Sequence, residues 1–147
     1  MGIWKTHATI EEITKMIENT MISHVGIEIT EIGEDFLAGK MPVDQRTKQP
    51  YGLLHGGASC VLAETLGSIA GTLCVNMETH TCFGLNIFTN HLRIADQGYV
   101  YGKAQPVHLG FTNHVWEIQI TALNDALVSV SRLTLAVLER RGQIKKS

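Results

Sequence analysis

Between Leu54 and Met77 the chain reads LHGGASCVLAETLGSIAGTLCVNM, and the only formal charge in those 24 residues belongs to Glu64. A carboxylate in apolar company is costly unless it is paired, hydrogen-bonded or used. The neighbours expected on its helical face, Gly57, Cys60, Val61, Gly67, Ser68 and Gly71, carry no charge that could neutralise it. The chemistry open to such a group is nucleophilic attack or general base catalysis. About seven residues ahead stand Gly56 and Gly57, with His55 just before them and Gln49 in the preceding loop. If a helix starts at the glycines, its first amides lack intrahelical partners and carry the positive end of the helix dipole. Two glycines let the carbonyl of another molecule approach those amides, which then act as an oxyanion-type donor. The same pair fits a tight turn under a sheet equally well. Ser68, four residues after Glu64, shares its face and is within reach of the carboxylate or of an attacking water.

Seven residues of helix span roughly 10 Å, too far for Glu64 and the amides of one chain to act on one carbonyl. Two such helices antiparallel across a two-fold axis would bring Glu64 of one to the start of the other. The spacing therefore favours a site shared by a homodimer, with Gly67, Ser68 and Gly71 as a smooth surface for close approach. His91, beside Arg93, is a weaker candidate, since an exposed strand histidine is commonly without function. Cys60 reads as a small core thiol rather than a nucleophile, because nothing basic accompanies it locally.

The elements that position these residues follow from periodicity. Thr9-Ile10-Glu11-Glu12 is a capping box, and Ile10, Ile13 and Ile17 share one face, which predicts an amphipathic helix over 10–20. HVGIEITEIGEDFLAGKMPV is two alternating runs around Gly33-Glu34-Asp35, a hairpin. Residues 44–55 read as a loop, and the 24-residue apolar run as one long helix without a solvent face, buried all round. Four strand-like runs follow, about 81–92, 98–108, 112–123 and 127–139, and Trp116, Ile118 and Ile120 alternate with polar residues as in a half-buried antiparallel strand. The order predicts an α+β domain over 1–147, with one six-stranded antiparallel sheet wrapped around one long buried helix.

Composition narrows the function. With 147 residues, 44% of them hydrophobic and 18% charged, the chain supports one globular core. A net charge of −2 gives no basic excess for nucleic acid, and the basic pairs Arg140-Arg141 and Lys145-Lys146 read as a solvated end. Three cysteines, Cys60, Cys74 and Cys82, fit reduced thiols in a cytoplasm better than a disulfide framework. No Cys/His spacing resembles a zinc site, no secretory signal opens the chain, and Glu64 with four glycines argues against a membrane span.

The segment MPVDQRTKQPYGLLHGGASCVLAETLGSIAG, Met41 to Gly71, resembles the hotdog-fold acyl-CoA thioesterases, and the likeness continues from Ile3-Trp4-Lys5 to Ser131-Arg132-Leu133. It is nearest to the enterobactin-pathway proofreading thioesterases and the 1,4-dihydroxy-2-naphthoyl-CoA thioesterases. The resemblance implies a hotdog fold, assembled as a dimer and then as a tetramer of two dimers. It implies that Glu64 is the catalytic carboxylate, that the Gly56 amide polarises the thioester carbonyl, that Gln49 and His55 position it, and that Ser68 supplies a supporting hydroxyl. It also implies that Gly84, the segment His91-Leu92-Arg93-Ile94 and the segment His108-Leu109-Gly110-Phe111-Thr112-Asn113 contact the CoA or acyl portion. Two positions depart from the pattern: Ile94 stands where those relatives carry Pro, and Phe111 where they carry Arg.

The expectation is thus a cytoplasmic hydrolase of acyl-CoA thioesters needing no cofactor. An aromatic acyl group is favoured, with Phe83, Leu85, Ile87 and Phe111 as its apolar surroundings. Two alternatives stand beside it: a proofreading thioesterase acting on an acyl carrier protein, and a non-catalytic acyl-CoA-binding module on the same fold.

Overall fold

The computed structural model describes residues 2–141; Met1 and the pair Lys145-Lys146 lie outside the described residues. Helix α1 spans Ile10–Ile17, with the Thr9/Glu12 capping box formed in both directions and Ile13 and Ile17 buried. It stops three residues earlier than the periodicity predicts. Glu18 leaves the helical region, Asn19 turns to φ 57°, and Thr20 caps a separate short helix, α2, at Met21–His24. Strands β1 (Glu28–Ile32) and β2 (Leu37–Pro42) form the expected hairpin, closed by the Gly33 amide on the Phe36 carbonyl at 2.9 Å.

Helix α3 runs Gly56–Leu73, 18 residues and about 27 Å. Strands β3 (His80–His91), β4 (Tyr99–Leu109), β5 (Asn113–Thr121) and β6 (Leu127–Glu139) complete one sheet of order β1-β2-β4-β5-β6-β3, antiparallel throughout. The alternation in β5 holds: Trp116, Ile118 and Ile120 are fully buried against α3. Leu62 and Leu66 of the helix are equally buried, each contributing about 1.5–3 kcal/mol by leaving water.

One expectation about α3 needs correction. The sheet covers the helix on one side and leaves a stripe open, the side for which an all-round apolar helix expects a second partner. Gly57 and Glu64 are exposed in the chain, and Val61, Ser68 and Thr72 are half-buried along the same open stripe. Gly67 and Gly71 do not lie on that stripe. A Cβ at Gly67 would press on Leu133, and one at Gly71 on Leu135, so these glycines let the helix settle closely onto the sheet. Glycine-rich sequence announces close packing but not what packs against it.

Candidate active site

The start of α3 is held by its preceding loop. The Thr47 hydroxyl, buried, donates to the Pro42 carbonyl at 2.7 Å, and the Thr47 carbonyl accepts the His55 amide at 2.8 Å. The Leu54 amide donates to the Ala95 carbonyl at 2.7 Å. Between these anchors His55 is the N-cap, its Nδ1 accepting the Gly57 amide at 2.8 Å. A ring that accepts at Nδ1 is the neutral tautomer carrying its proton on Nε2. The sequence suggested two unpartnered amides; the structure leaves one. Gly57 is capped, while the Gly56 amide makes no hydrogen bond among the described residues.

A cavity of about 270 Å³ opens at this point, walled by Gln49, Gly56, Ser59, His91, Arg93 and Ile94 among others. The His91 ring stands directly against Gly56, its Nε2 and Cε1 3.1 Å from where a Cβ would be. Leu92 and Arg93 are fixed by their amides on the Val128 carbonyl (2.8 and 3.2 Å), and the Arg93 guanidinium donates to the Leu127 carbonyl at 2.9 Å. The Gln49 side-chain oxygen accepts the Tyr51 amide, which leaves its NH2 group available to donate. His91, the weak candidate from sequence, is thus a wall of the same cavity as Gly56 and Gln49.

Helix α3 runs antiparallel along β3 at the sheet edge. Gly56 meets His91, the Cys60 thiol donates to the Thr89 hydroxyl at 3.4 Å, and the Glu64 carboxylate lies against Gly84. Thr89 in turn shares a 2.8 Å hydrogen bond with Ser131 on β6. Thr89 and Ser131 were not singled out from the sequence. Thr89 precedes His91 by two residues, which strand alternation puts on the same face. That alternation also sends Phe83 outward, away from the helix, where it is 59% exposed. Only Ile87 of the expected apolar strand residues turns toward the core.

His108–Asn113 lies at the opposite end of α3. Leu109, Gly110 and Phe111 border a second cavity, about 400 Å³, with Lys5, Cys74 and His114. The turn is braced by the Gly110 amide on the Asn113 carbonyl (2.9 Å) and the Val137 amide on the Thr112 carbonyl (3.0 Å). Phe111 is 98% exposed. A third, mostly apolar groove of about 520 Å³ runs between α1 and α3, lined by Ile13, Met16, Ser68, Ile69 and Thr72 among others. The candidate residues therefore divide within one chain: Gln49, His55, Gly56 and His91–Ile94 at the start of the helix, Glu64, Gly84 and Ser68 along its middle, and His108–Asn113 beyond its end.

Comparison with known proteins places this arrangement. Residues 51–129, from the loop before α3 into β6, match the family model of the thioesterase superfamily. The chain belongs to the thioesterase superfamily. It is 48% identical over 136 residues to the 1,4-dihydroxy-2-naphthoyl-CoA hydrolase of Escherichia coli, covering 92% of this chain and 99% of that protein. It is 46% identical over 136 residues to the proofreading thioesterase EntH of Cronobacter turicensis, covering 92% and 98%. The crystal structure of thioesterase HI1161 from Haemophilus influenzae superposes with a TM-score of 0.93 at 46% identity, over 97% of this chain and 99% of that one. The sheet around α3 is the hotdog fold of these thioesterases.

Within this thioesterase the thiols differ from the carboxylate in setting. Burial pushes Cys82 up to about 11 and Cys74 up to about 12, the latter also through its proximity to Cys82, so both stay protonated and inert near neutral pH. Glu64 is the acidic group on the open stripe of α3 and makes no ion pair or hydrogen bond among the described residues. Among the described residues no helix is long and apolar enough to cross a membrane.

Proposed function

We propose that this thioesterase hydrolyses acyl-CoA thioesters to a carboxylic acid and free CoA, with Glu64 as the reacting carboxylate and the Gly56 amide as the donor that polarises the carbonyl. The observation that carries the reading is the pairing of an unpartnered amide at the head of α3 with an unpaired, exposed carboxylate further along it. The Gly56 N–H would hydrogen-bond the thioester oxygen and stabilise the negative charge that develops on it. Glu64 then acts in one of two ways. It attacks the carbonyl carbon and expels the CoA thiolate, leaving an anhydride that water cleaves; or it takes a proton from a water that attacks directly. Either route breaks the C–S bond, puts a water oxygen on the acid and returns a proton to the departing sulfur. No metal or redox cofactor enters this chemistry.

From Gly56 to Glu64 is eight residues, about 12 Å along the axis, so one chain does not act alone in this scheme. Strand β3 is the last in the sheet, 12 residues long, with Phe83, Leu85 and Phe88 exposed. A long apolar edge of this kind favours a second copy. Because α3 lies antiparallel to β3, two copies joined edge to edge across a two-fold axis set their helices antiparallel. The Gly56 end of one chain then approaches Glu64, Ser68 and His108–Asn113 of the other. We read the assembly as a homodimer, paired again into a homotetramer. In this reading His91, Arg93 and Gln49 line the passage for the pantetheine arm.

The α1–α3 groove, beside Ser68 and with Ile13, Met16, Ile69 and Leu73 in its lining, supports an aromatic acyl group of the hydroxybenzoyl or dihydroxynaphthoyl kind. The same groove would accept an aryl group carried on a carrier protein, the alternative reading for a chain similar to a proofreading thioesterase. Replacing Glu64 by Gln tests the assignment. The amide keeps the volume but neither attacks nor accepts a proton, so thiol release from benzoyl-CoA should fall at least about a hundredfold. Turnover near wild type in a folded Glu64→Gln protein would overturn it.

A further inference from the structure

Glu64 has no hydrogen-bonding partner among the described residues, yet its carboxylate is not unsupported. Its Oε1 rests on Gly84 so closely that a Cβ built on that residue would overlap the oxygen. Gly84 does not adopt a left-handed backbone; the glycines that do are Gly26, Gly52 and Gly98. What matters at Gly84 is the absence of a side chain. Three facts about Gly84 coincide. It pairs with Leu135 on the face of β3 turned to the helix, it adjoins the β-bulge between Gly84 and Asn86, and it stands on the strand at the open edge of the sheet. Bulges re-aim the strand beside them, and this one lies where the carboxylate comes down.

We propose that Gly84 is a positioning residue for Glu64: its bare Cα is the seat that lets the carboxylate lie low against the edge of β3. This rests on the reading of Glu64 as the reacting carboxylate and adds to it. Gly84 need not touch the substrate to be required. Ordinary van der Waals contact begins at 3.4 Å, so a methyl group at position 84 lifts the carboxylate by about 1 Å. A displacement of that size in a reacting group can cost about a hundredfold in rate. Five residues further along β3, Thr89 hydrogen-bonds Ser131 of β6 and receives the Cys60 thiol of α3. That ties β3 to α3 on the face Gly84 shares, so the group that gives way to a methyl at position 84 is the carboxylate, the far end of an exposed side chain.

The test is Gly84→Ala, assayed with benzoyl-CoA by thiol release and with CoA alone by calorimetry. The expected result is a kcat lowered about 10–100-fold, with KM and CoA affinity within about twofold of wild type. The second arm is Glu64→Asp, whose shorter side chain no longer reaches position 84. In that background Gly84→Ala should cost less than about threefold, the non-additivity expected of two groups in contact. Equal losses in both backgrounds, or a raised KM with kcat unchanged, would overturn the proposal and make Gly84 a substrate contact. If Gly84→Ala does not fold, the Glu64→Asp/Gly84→Ala protein decides: recovery of the melting temperature supports the clash, and continued instability refutes it. An active Glu64→Gln protein would sink the underlying reading whatever Gly84 does. An inactive one beside an unaffected Gly84→Ala would remove only the positioning role.

Discussion

If each site takes Gly56 from one chain and Glu64 from the other, two dead variants should rescue one another. Glu64→Gln removes the reacting carboxylate. Its side chain is exposed and has no partner among the described residues, so folding stability should change by less than about 0.5 kcal/mol. Gly56→Val damages the other half of the site. A Cβ there already stands 3.1 Å from the His91 ring, and the rest of the isopropyl group would push that ring aside and screen the amide. Each variant alone should retain about 1% of wild-type turnover or less. After random exchange of an equal mixture, about half the dimers contain one chain of each kind. Each such dimer holds one site with both lesions and one with neither, so the mixture should recover about a quarter of wild-type activity. The assay is thiol release from benzoyl-CoA, with native mass spectrometry of isotopically labelled chains to confirm exchange. Activity that stays near 1% after confirmed exchange would refute the shared site. It would require Glu64 and the Gly56 amide of one chain to serve the same carbonyl across about 12 Å of helix.

Three further expectations follow. In a side-by-side panel, benzoyl-, hydroxybenzoyl- or naphthoyl-CoA should exceed acetyl-CoA in kcat/KM by about tenfold or more, since a ring in the α1–α3 groove buries apolar area worth about 25 cal/mol per Å²; a preference for acetyl-CoA or long saturated chains would remove the aromatic assignment. His114 is buried, with Lys5 and His108 near it and no partner for Nδ1 among the described residues, and its pKa is held below the ordinary 6.5 chiefly by that burial. The unfolded chain therefore binds the proton more readily, so stability is intact above pH 6.5 and declines as pH falls from there through the folded value; urea titrations should show that decline shrinking in His114→Phe. Gly71→Ala should lower stability by about 1–3 kcal/mol despite the better helix propensity of Ala, because the new methyl meets the fully buried Leu135; a melting temperature at or above wild type would show that the core yields there.

Local patterns were the most legible part of the sequence. The Thr9/Glu12 capping box, the hairpin at Gly33, the four later strands and the alternation of Trp116, Ile118 and Ile120 all depend on neighbours within a few residues, and they stand as read. Helix α2 was missed because a four-residue turn has no period to detect; only Asn19 at positive φ and the Thr20 cap mark it. Gly67 and Gly71 were set on the wrong face of α3 for a different reason. Small and apolar residues occur on both sides of the helix, so hydropathy could not distinguish the face on the sheet from the one left uncovered. The proximity of Gly84 to Glu64 and of His91 to Gly56 depends on the alignment of β3 with α3, which no local pattern encodes. Phe83 points away from α3 because its place in the alternation is fixed by Cys82 and Gly84 beside it, and those face inward.

The place of β3 in the sheet also bears on how the chain comes off the ribosome. Helix α3 and β3 are adjacent in sequence, but among the described residues β3 pairs with β6 alone, with Phe88 opposite Arg132 and Gly84 opposite Leu135. Pairing across such a separation closes a long loop and slows folding. During synthesis the apolar edge strand emerges well before the strand that will bond to it, a state open to wrong partners. Until β6 is made, the strand that brings Gly84 under Glu64 and His91 against Gly56 lacks its ladder partner. A chain stalled before Leu127 would carry every residue of the candidate site and still be unable to assemble it.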